Sequence, residues 1–225
     1  MVDYPLSVTR EALIDPARWC DILILHPNIK YCRASTNHPS RLLDVRIGRK
    51  NYQTLELAYW VEFDFSVATM TSEYFDLQLK AKAGPFGARD YLIRLEAVSI
   101  QGNKTFLHLT YSYTYNLAGR LAMQGYLETI GSETVGFARE GDTSDNNSVY
   151  IGEVRGLVER NTMRYYLAID AYLGELATAP EEQLEKCLQR WVTSTELYPQ
   201  QLREIDRAEY LGMKRREFLR QQKLD

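Results

Sequence analysis

Apolar and polar residues alternate in four runs between Thr54 and Tyr115. A repeat of two residues is typical of a β-strand with one covered face and one solvated face. One-sided strands favour an antiparallel sheet, because parallel strands are usually covered on both faces. Short polar or glycine-containing connections join the runs, and Gln101-Gly102-Asn103 has the composition of a tight hairpin. The four predicted strands occupy residues 55–67, 75–82, 91–97 and 107–115.

The covered face of this predicted sheet carries many tyrosines. An apolar surface with scattered hydroxyl groups suits the lining of a cavity as well as a dry core. A helix laid across it leaves a void where the two surfaces do not interdigitate, and because native cores tolerate few voids, a persistent one indicates a ligand. The predicted ligand-binding residues are Tyr59, Phe63, Tyr91, Ile93, Tyr111, Tyr113, Asn161, Tyr165 and Ile169.

The covering helix is predicted from Glu153 to Leu176, where apolar residues recur at a spacing of 3.6. Arg160 and Arg164 lie off this apolar stripe. Asn161 falls within it, and a buried amide costs roughly 1–3 kcal/mol unless it finds a hydrogen-bond partner. That partner would belong either to the protein or to the polar end of a ligand.

Shorter elements surround the sheet and the long helix. A helix-like segment covers Val8 to Leu13, and Asp15-Pro16 starts a second one with proline at the favoured first position. Two short strands are predicted at Ile29 to Ala34 and Leu42 to Arg49. Helical spacing interrupted by glycines predicts a weak helix across residues 119–131, which would act as the gate for ligand entry.

Beyond a break at residues 177–180 the chain is predicted to be helical and strongly charged. Its end, residues 213–220, is basic with apolar insertions. We expect a solvated helix there, and the alternatives are transient contact with an anionic membrane surface or with a partner protein. The chain is therefore divided into a ligand-binding domain, residues 1–178, and a helical C-terminal extension, residues 179–225.

Composition narrows the possible partners of these 225 residues. An apolar share of 45% is ample for a core. The net charge of −3 argues against nucleic acid, because phosphate binding needs a basic surplus. No apolar run reaches the roughly 18 residues of a membrane span. No cleavable leader is visible, so the compartment stays open between the cytoplasm and, if a leader was removed, a bacterial periplasm.

Catalytic and metal-binding motifs are absent from the sequence. It has no glycine-rich phosphate loop, no paired-cysteine zinc pattern and no His-Glu-x-x-His. The three histidines have no nucleophile or metal partner beside them in the sequence, so we expect no catalytic residue, metal or cofactor. Cys20 and Cys32 could form a disulfide in an oxidising compartment or be two buried thiols. Cys187 is expected to be an inert free thiol.

One segment resembles a known family. Residues 84–98 contain Arg89-Asp90-Tyr91, similar to the Arg-Asp-aromatic triplet that opens a long central strand in START lipid-transfer domains. The order of elements is also similar, and the likeness covers about residues 2–176. It implies an α+β helix-grip (START-like) fold, in which a curved antiparallel sheet wraps around a long C-terminal helix, here with an added helical tail.

The sequence departs from that family in three places. Helix-grip domains begin with a strand, and only Met1 to Pro5 could supply it here. The insertion at residues 119–131 and the tail after Pro180 have no counterpart in the family pattern. Arg89 could anchor the head group of a ligand, or Arg89 and Asp90 could fix the strand entrance.

These observations predict binding or transport of a hydrophobic small molecule, such as a lipid, a sterol-like or a polyketide-like compound. An alternative is a helix-grip enzyme of the cyclase or aromatase type that acts on an apolar substrate. A third hypothesis is a scaffold whose helical tail binds another protein. The inner positions of the predicted strands carry no acid or base other than tyrosine, so the enzyme ranks second.

Overall fold

The computed structural model describes residues 1–35, 41–101, 103–115, 119, 134–140 and 149–224. It has the predicted α+β class, with a six-stranded antiparallel sheet and C-terminal helices. The helices are α1 Leu6–Leu13, α2 Pro16–Leu23, α3 Glu153–Gly174, α4 Pro180–Glu196, α5 Pro199–Leu202 and α6 Arg207–Leu224. The strands are β1 Ile29–Ala34, β2 Leu42–Ile47, β3 Tyr59–Met70, β4 Tyr74–Ala83, β5 Ala88–Ile100, β6 Lys104–Tyr115, β7 Arg139–Glu140 and β8 Val149–Tyr150. The proposed gate at residues 119–131 lies outside the described residues, apart from Gly119.

The strands β1 to β6 lie side by side in chain order, and each is antiparallel to the next. Short connections explain this order, because a chain that turns tightly returns beside the strand that it has just left. Phe65, Leu79 and Ile93 are cross-strand neighbours on β3, β4 and β5, and all three are buried. They mark the inner face of the sheet, which the alternation of the sequence predicted.

The strand predicted from Leu55 begins later. Leu55–Leu57 forms one turn of 3-10 helix, and β3 starts at Tyr59. Leu57 is 72% exposed, so it takes no part in the inner face. The prediction was wrong here because a short apolar-polar-apolar run fits a helical turn as well as a strand.

Helices α1, α2 and α3 contact the sheet and cover its inner face. Trp19 of α2 is fully buried, its ring centroid lies 6.3 Å from that of Phe65, and its indole N–H donates to the Leu13 carbonyl at 2.8 Å. Ala168 and Ile169 of α3 are also fully buried. These helices and the inner face therefore form one hydrophobic core.

The N-terminal residues pair with the edge of the sheet. The Val2 N–H donates to the Thr105 carbonyl at 2.9 Å, and the Thr105 N–H donates to the Val2 carbonyl at 3.1 Å. The Thr105 hydroxyl donates to the Tyr4 carbonyl at 2.8 Å. This antiparallel bridge covers part of the free edge of β6, which would otherwise present unpaired backbone groups.

The C-terminal helices join the same core across residue 178, where the sequence placed a domain boundary. The indole N–H of Trp191 in α4 donates to the Arg164 carbonyl of α3 at 3.2 Å. Trp191 also stacks on Tyr210 of α6, with ring centroids 4.8 Å apart. The Tyr210 hydroxyl donates to the Leu25 carbonyl at 2.8 Å, which ties α6 to the segment before β1.

The expectation of a solvated final helix is wrong for one side of α6. Lys214 and Glu217 are 1% and 0% exposed, and the Lys214 ammonium donates to the Ile29 carbonyl at 2.6 Å. The Cys32 N–H donates to the side-chain oxygen of Gln221 at 2.8 Å. This side of α6 packs against β1, because β1 is an edge strand and its unpaired backbone groups need partners. The opposite side of α6, including Arg215, Arg216 and Leu219, is exposed or half-exposed, and its contact with a membrane stays a prediction.

Candidate functional site

Aromatic rings form a continuous cluster on the inner face. The ring centroids of Tyr91 and Tyr113 lie 5.2 Å apart, and those of Tyr111 and Tyr113 lie 5.4 Å apart. Tyr113 also contacts Tyr115 at 4.9 Å, and Tyr111 contacts Tyr165 of α3 at 5.6 Å. These five residues, Tyr91, Tyr111, Tyr113, Tyr115 and Tyr165, are the tyrosine cluster. It joins β5, β6 and α3, as the alternation and the helical stripe predicted together.

The cover over this cluster is uneven. Tyr91 and Tyr165 are buried, but Tyr111, Tyr113 and Tyr115 are half-buried although they point to the inner face. Burial raises the pKa of every hydroxyl in the cluster, so all five are protonated at neutral pH and can donate hydrogen bonds. The Tyr113 hydroxyl interacts with that of Tyr115, which partly offsets the effect of burial on the pKa of Tyr113. The surface is therefore apolar with hydroxyl donors.

The polar side of α3 is buried, which corrects the sequence-based view of Arg160 and Arg164. Each is only 1% exposed. Arg164 donates to the Asn161 side-chain oxygen at 3.1 Å and to a Glu204 oxygen at 2.6 Å. Periodicity marked both arginines as solvated because it could not show that residues 203–206, between α5 and α6, pack against this side of α3. Asn161 therefore has a partner within the protein.

Glu204 is surrounded by cations. Its second oxygen lies 3.8 Å from Nε of Arg160, and Lys50 pairs with the oxygen that Arg164 contacts. Burial alone would raise the pKa of Glu204, but the charges of Arg164, Lys50 and Arg160 lower it below its ordinary value. Burial lowers the pKa of Lys50, and Glu204 opposes that shift. Lys50, Arg160, Arg164 and Glu204 together form the cation cluster.

His26 connects the cation cluster to the tyrosine cluster. It is 3% exposed and stacks on Tyr165, with ring centroids 4.9 Å apart. Its Nδ1 accepts from the Asn28 N–H at 3.2 Å, so Nε2 carries the proton of the neutral ring. Burial, with the charges of Arg164, Lys214 and Lys50, holds the pKa of His26 well below 6.5, while the Asn161 amide opposes the shift. His26 is therefore neutral at pH 7.

A cleft of about 320 Å³ borders the cation cluster. Its walls include Lys50, Glu204, Pro27, Trp191 and Leu202. A second, shallower cleft of about 390 Å³ lies against α4 and is lined by Glu175, Lys186, Gln189, Arg190, Thr193 and Ser194. Neither cleft is lined by the tyrosine cluster, so the predicted cavity between sheet and helix stays a prediction.

The remaining predicted ligand-binding residues fall into two groups. Phe63, Ile93 and Ile169 are 3%, 1% and 0% exposed and belong to the core. Phe63 still touches the cluster, because its ring centroid lies 6.5 Å from that of Tyr91. Tyr59 is 46% exposed at the first residue of β3, and burial on its side of the strand begins at Val61. Tyr59 is therefore at the margin of the inner face.

Arg89 and Asp90 shape the start of β5. Both are exposed, and the register shifts between Arg89 and Leu92. The Thr114 hydroxyl donates to Asp90 Oδ2 at 2.9 Å and to the Arg89 carbonyl at 3.3 Å. Asp90 has a φ of 51°, a left-handed conformation that aspartate tolerates better than most residues. These contacts favour a structural role, and a head-group contact of Arg89 stays a prediction.

Cys20 of α2 and Cys32 of β1 are joined by a disulfide, with their Cα atoms 5.1 Å apart. The sequence had left this pairing open. Cys187 of α4 is a buried free thiol, and burial raises its pKa to about 12, so it stays protonated. The disulfide links α2 to the edge strand that α6 covers.

Sequence reasoning did not single out Lys50, Glu204 or His26. Lys50 lies in a polar loop and Glu204 in a charged tail, where a charge ordinarily faces water. One signal was present, since Arg160 and Arg164 flank Asn161 on the same helix. Residues four apart share one face of a helix, so Arg160 and Arg164 lie on the same side of α3. The position of Asn161, next to Arg160 and within the apolar stripe, could have indicated that the side with the arginines is also covered.

In the part of the chain that the structure describes, no three His, Cys, Asp or Glu residues are grouped to hold a metal ion. Over the same residues, no helix has both the length and the apolar character to cross a bilayer. No family model, curated protein or solved structure matches the chain.

Proposed function

We propose that the protein binds a hydrophobic small molecule, such as a lipid, a sterol-like or a polyketide-like compound, on the tyrosine cluster. The observation that carries this proposal is the incomplete burial of Tyr111, Tyr113 and Tyr115 on the inner face. Their cross-strand partners on β5, Ile93 opposite Tyr111 and Ala88 opposite Tyr115, are each 1% exposed. An apolar ligand placed there would bury the remaining aromatic surface, worth about 25 cal/mol for each Å².

The chemistry of the cluster supports an apolar ligand with few polar groups. Its rings offer broad faces, and its protonated hydroxyls offer donors but no negative charge. A sugar or nucleotide would need many more hydrogen-bond partners than these positions supply.

The arrangement of the elements supports the helix-grip layout of START-like domains as the framework. The antiparallel sheet is followed by the long helix α3, and α3 contacts the inner face through Ala168 and Ile169. Val2 forms an antiparallel bridge with Thr105 ahead of α1, which supports an N-terminal strand-like segment in this layout. Membership of the family remains part of the proposal.

Native mass spectrometry of the purified protein, followed by solvent extraction, tests for a bound apolar molecule. The delipidated protein is then titrated with a neutral fluorescent lipid probe. We expect saturable binding that unlabelled lipid displaces. The proposal would be overturned if the purified protein carried no bound apolar molecule and also bound no member of a lipid panel.

A pair of variants locates the binding surface. Tyr113→Trp adds bulk to the half-buried part of the cluster and should weaken probe binding at least tenfold, about 1.4 kcal/mol. Tyr74→Trp is the matched control, because Tyr74 is a half-buried tyrosine of β4 whose hydroxyl contacts Glu96 at 2.8 Å, away from the cluster. Equal probe affinity of the two variants would place the ligand elsewhere.

The enzyme alternative rests on His26, an ionisable group beside the tyrosine cluster. Its Nδ1 already accepts from the Asn28 N–H, so the neutral ring has no free nitrogen lone pair that could accept the proton of a substrate. This geometry favours binding over catalysis. The scaffold hypothesis for the tail stays a prediction.

A further inference from the structure

Large apolar side chains are exposed where the loop between β2 and β3 meets α6. Tyr52, Leu57 and Trp60 are 58%, 72% and 60% exposed, and Leu219 of α6 is 57% exposed. One exposed side chain of this size is ordinary, but several on adjoining elements indicate an interaction site. Tyr52, Leu57, Trp60 and Leu219 are the exposed patch.

Contacts between the loop and α6 make the patch one surface. The Arg216 guanidinium lies 5.4 Å from the centroid of the Tyr52 ring. Arg220 donates through Nη1 to the Gln53 carbonyl at 3.1 Å. Leu219 comes three residues after Arg216, so both lie on the side of α6 that adjoins the loop.

Trp60 extends the patch onto the outer face of the sheet. It is the second residue of β3 and stands opposite Arg46 of β2. The Arg46 guanidinium lies 5.2 Å from the centroid of a Trp60 ring, and the indole N–H donates to Asp44 Oδ1 at 3.1 Å. An arginine therefore lies against an exposed aromatic ring both here and at Tyr52.

Positive charge surrounds the patch, although the whole chain has a net charge of −3. The cations that reach solvent in residues 44–62 and 216–223 are Arg46, Arg49, Arg216, Arg220 and Lys223. The carboxylates that reach solvent in the same two segments are Asp44, Glu56 and Glu62. Lys50 is paired with Glu204, and Glu217 is buried. The patch is therefore locally basic, which makes it complementary to an anionic surface.

The composition of the patch suits the surface of a lipid bilayer. Tryptophan and tyrosine favour the interface between lipid chains and head groups, and leucine favours the chains. Arginine and lysine beside them are attracted to anionic head groups. Neither described cleft is lined by the patch, so a peptide has no groove to enter here.

The loop is already held in the exposed conformation. Gln53 is fixed from two sides, because its side-chain oxygen accepts from the Arg49 N–H at 2.7 Å and its carbonyl accepts from Arg220. Arg220 is held in turn, since its Nη2 donates to the Lys30 carbonyl at 2.9 Å. Docking therefore needs little ordering of the chain, and this lowers its entropic cost.

We propose that the exposed patch docks the protein on an anionic lipid bilayer. Tyr52, Leu57 and Trp60 enter the interfacial region, and the surrounding cations contact lipid phosphates. This inference goes beyond the proposed function and does not depend on it. In the antiparallel sheet, β3 begins at the end where β6 finishes, so the patch and Tyr115 lie toward the same end.

Cosedimentation of the full-length protein with vesicles tests the docking. One set of vesicles is neutral phosphatidylcholine, and the other contains about 30% phosphatidylglycerol. We expect an affinity for the anionic vesicles at least tenfold above that for the neutral ones. About 1 M salt should remove most of this difference, because the Debye length is then about 3 Å. Equal affinities, or no binding to either set, would overturn the proposal.

Trp60 reports directly on the surface that is in contact. The chain has three tryptophans, and the other two, Trp19 and Trp191, are only 0% and 3% exposed. Lipids that are brominated close to their head groups should therefore quench the emission of bound Trp60. Trp60→Phe is the control and should show little quenching. Equal quenching of the parent and of this variant would show that another surface is in contact, which overturns the proposal.

A pair of serine variants tests the apolar contribution. Leu57→Ser should weaken binding to anionic vesicles about tenfold, because the inserted side chain is lost. Met70→Ser is the matched control, since Met70 is 54% exposed at the opposite end of β3. Both positions are at the surface, and circular dichroism verifies that each variant is folded. Equal losses in the two variants would contradict docking through the patch.

A pair of double variants tests the charge. Arg49→Gln/Lys223→Gln should weaken binding to anionic vesicles at least tenfold and leave the weak binding to neutral vesicles unchanged. Lys104→Gln/Lys186→Gln makes the same change in net charge away from the patch, at lysines that pair with surface carboxylates. Equal losses in the two double variants would mean that net charge alone governs binding, which overturns the proposed surface.

A second copy of the chain is the competing occupant. Sedimentation velocity that showed a dimer, together with its loss in Leu57→Ser and no vesicle binding, would assign the patch to self-association and overturn the proposal. The lipid-probe experiment remains separate. Vesicle binding without uptake of the neutral probe would overturn the proposed function and leave the docking surface standing.

Discussion

Lys30 of β1 and Glu217 of α6 form an ion pair that is closed off from water. The Lys30 ammonium lies 2.9 Å from one Glu217 oxygen, and both side chains are fully buried. Lys214 contacts the other oxygen at 2.8 Å and is itself 1% exposed. The last helix is thus held to the first strand by buried charge as well as by apolar contact.

Removing the shared carboxylate should therefore destabilise the whole protein. In Glu217→Gln, two buried lysines lose their counter-charge, and uncompensated buried charges of this kind cost about 3–5 kcal/mol. Urea unfolding followed by tryptophan fluorescence measures this loss. Glu209→Gln on the exposed side of the same helix is the control and should change stability by less than about 1 kcal/mol. A loss below 1 kcal/mol for Glu217→Gln would show that the tail is not anchored through this group.

The division of the chain at residue 178 leads to a second experiment. A fragment of residues 1–178 loses the helix that covers β1, and it also exposes the core that Trp191 and Tyr210 complete. We expect this fragment to unfold without a cooperative transition and to be cleaved rapidly by protease. Removing only residues 222–225 is the control, because Gln222 and Lys223 are exposed.

A cooperative transition of the 1–178 fragment near the melting temperature of the full chain would contradict this expectation. It would instead support an independent ligand-binding domain with an appended tail. Retention of probe binding by such a fragment, together with loss of a protein partner, would favour the scaffold hypothesis.

The sheet was predictable because its information is local. Each strand has a covered and a solvated face, so the alternation itself reports the environment of residues such as Leu79 and Ile93. The closing helix was predictable for the same reason, since its stripe places Tyr165 and Ile169 on the inner side. The tyrosine cluster then follows from combining two local patterns.

The cation cluster and the buried ion pairs of Lys30 and Lys214 with Glu217 were not predictable in this way. Periodicity assigns a charged residue to the solvated side, and only the partner reveals that it is buried. The partner of Lys30 is 187 residues away and that of Arg164 is 40 residues away. Nothing local to either residue encodes such a pairing.

The disulfide between Cys20 and Cys32 should contribute substantially to stability. It closes a short loop, with a sequence separation of 12, and loop closure of this size in the unfolded chain corresponds to about 3 kcal/mol. Cys20→Ser/Cys32→Ser should lower the free energy of unfolding by about that amount, and reductant should have the same effect on the parent protein. Chemical denaturation with and without reductant measures it.

Cys187→Ser is the control for this experiment, because Cys187 is a buried free thiol. Its Sγ lies 3.7 Å from the Ala171 carbonyl oxygen and forms no disulfide. The reductant should destabilise this variant as much as the parent. Mass mapping under non-reducing conditions that found free thiols at both Cys20 and Cys32, or a stability indifferent to reductant, would contradict the prediction.

Stability should also fall in mildly acidic solution because of His26. The unfolded chain takes up a proton at this residue near its ordinary pKa of 6.5, whereas burial and the charge of Arg164 keep the folded ring neutral well below that value. The unfolded state then binds more protons, so the free energy of unfolding decreases by up to about 1.4 kcal/mol for each pH unit below 6.5. His26→Phe keeps an aromatic ring against Tyr165 and should remove this component. Denaturation is measured at about pH 7.5, 6.5, 5.8 and 5.2, a window that lies above the titration of most carboxylates. A parallel loss of stability in the parent and in His26→Phe would contradict the role of His26.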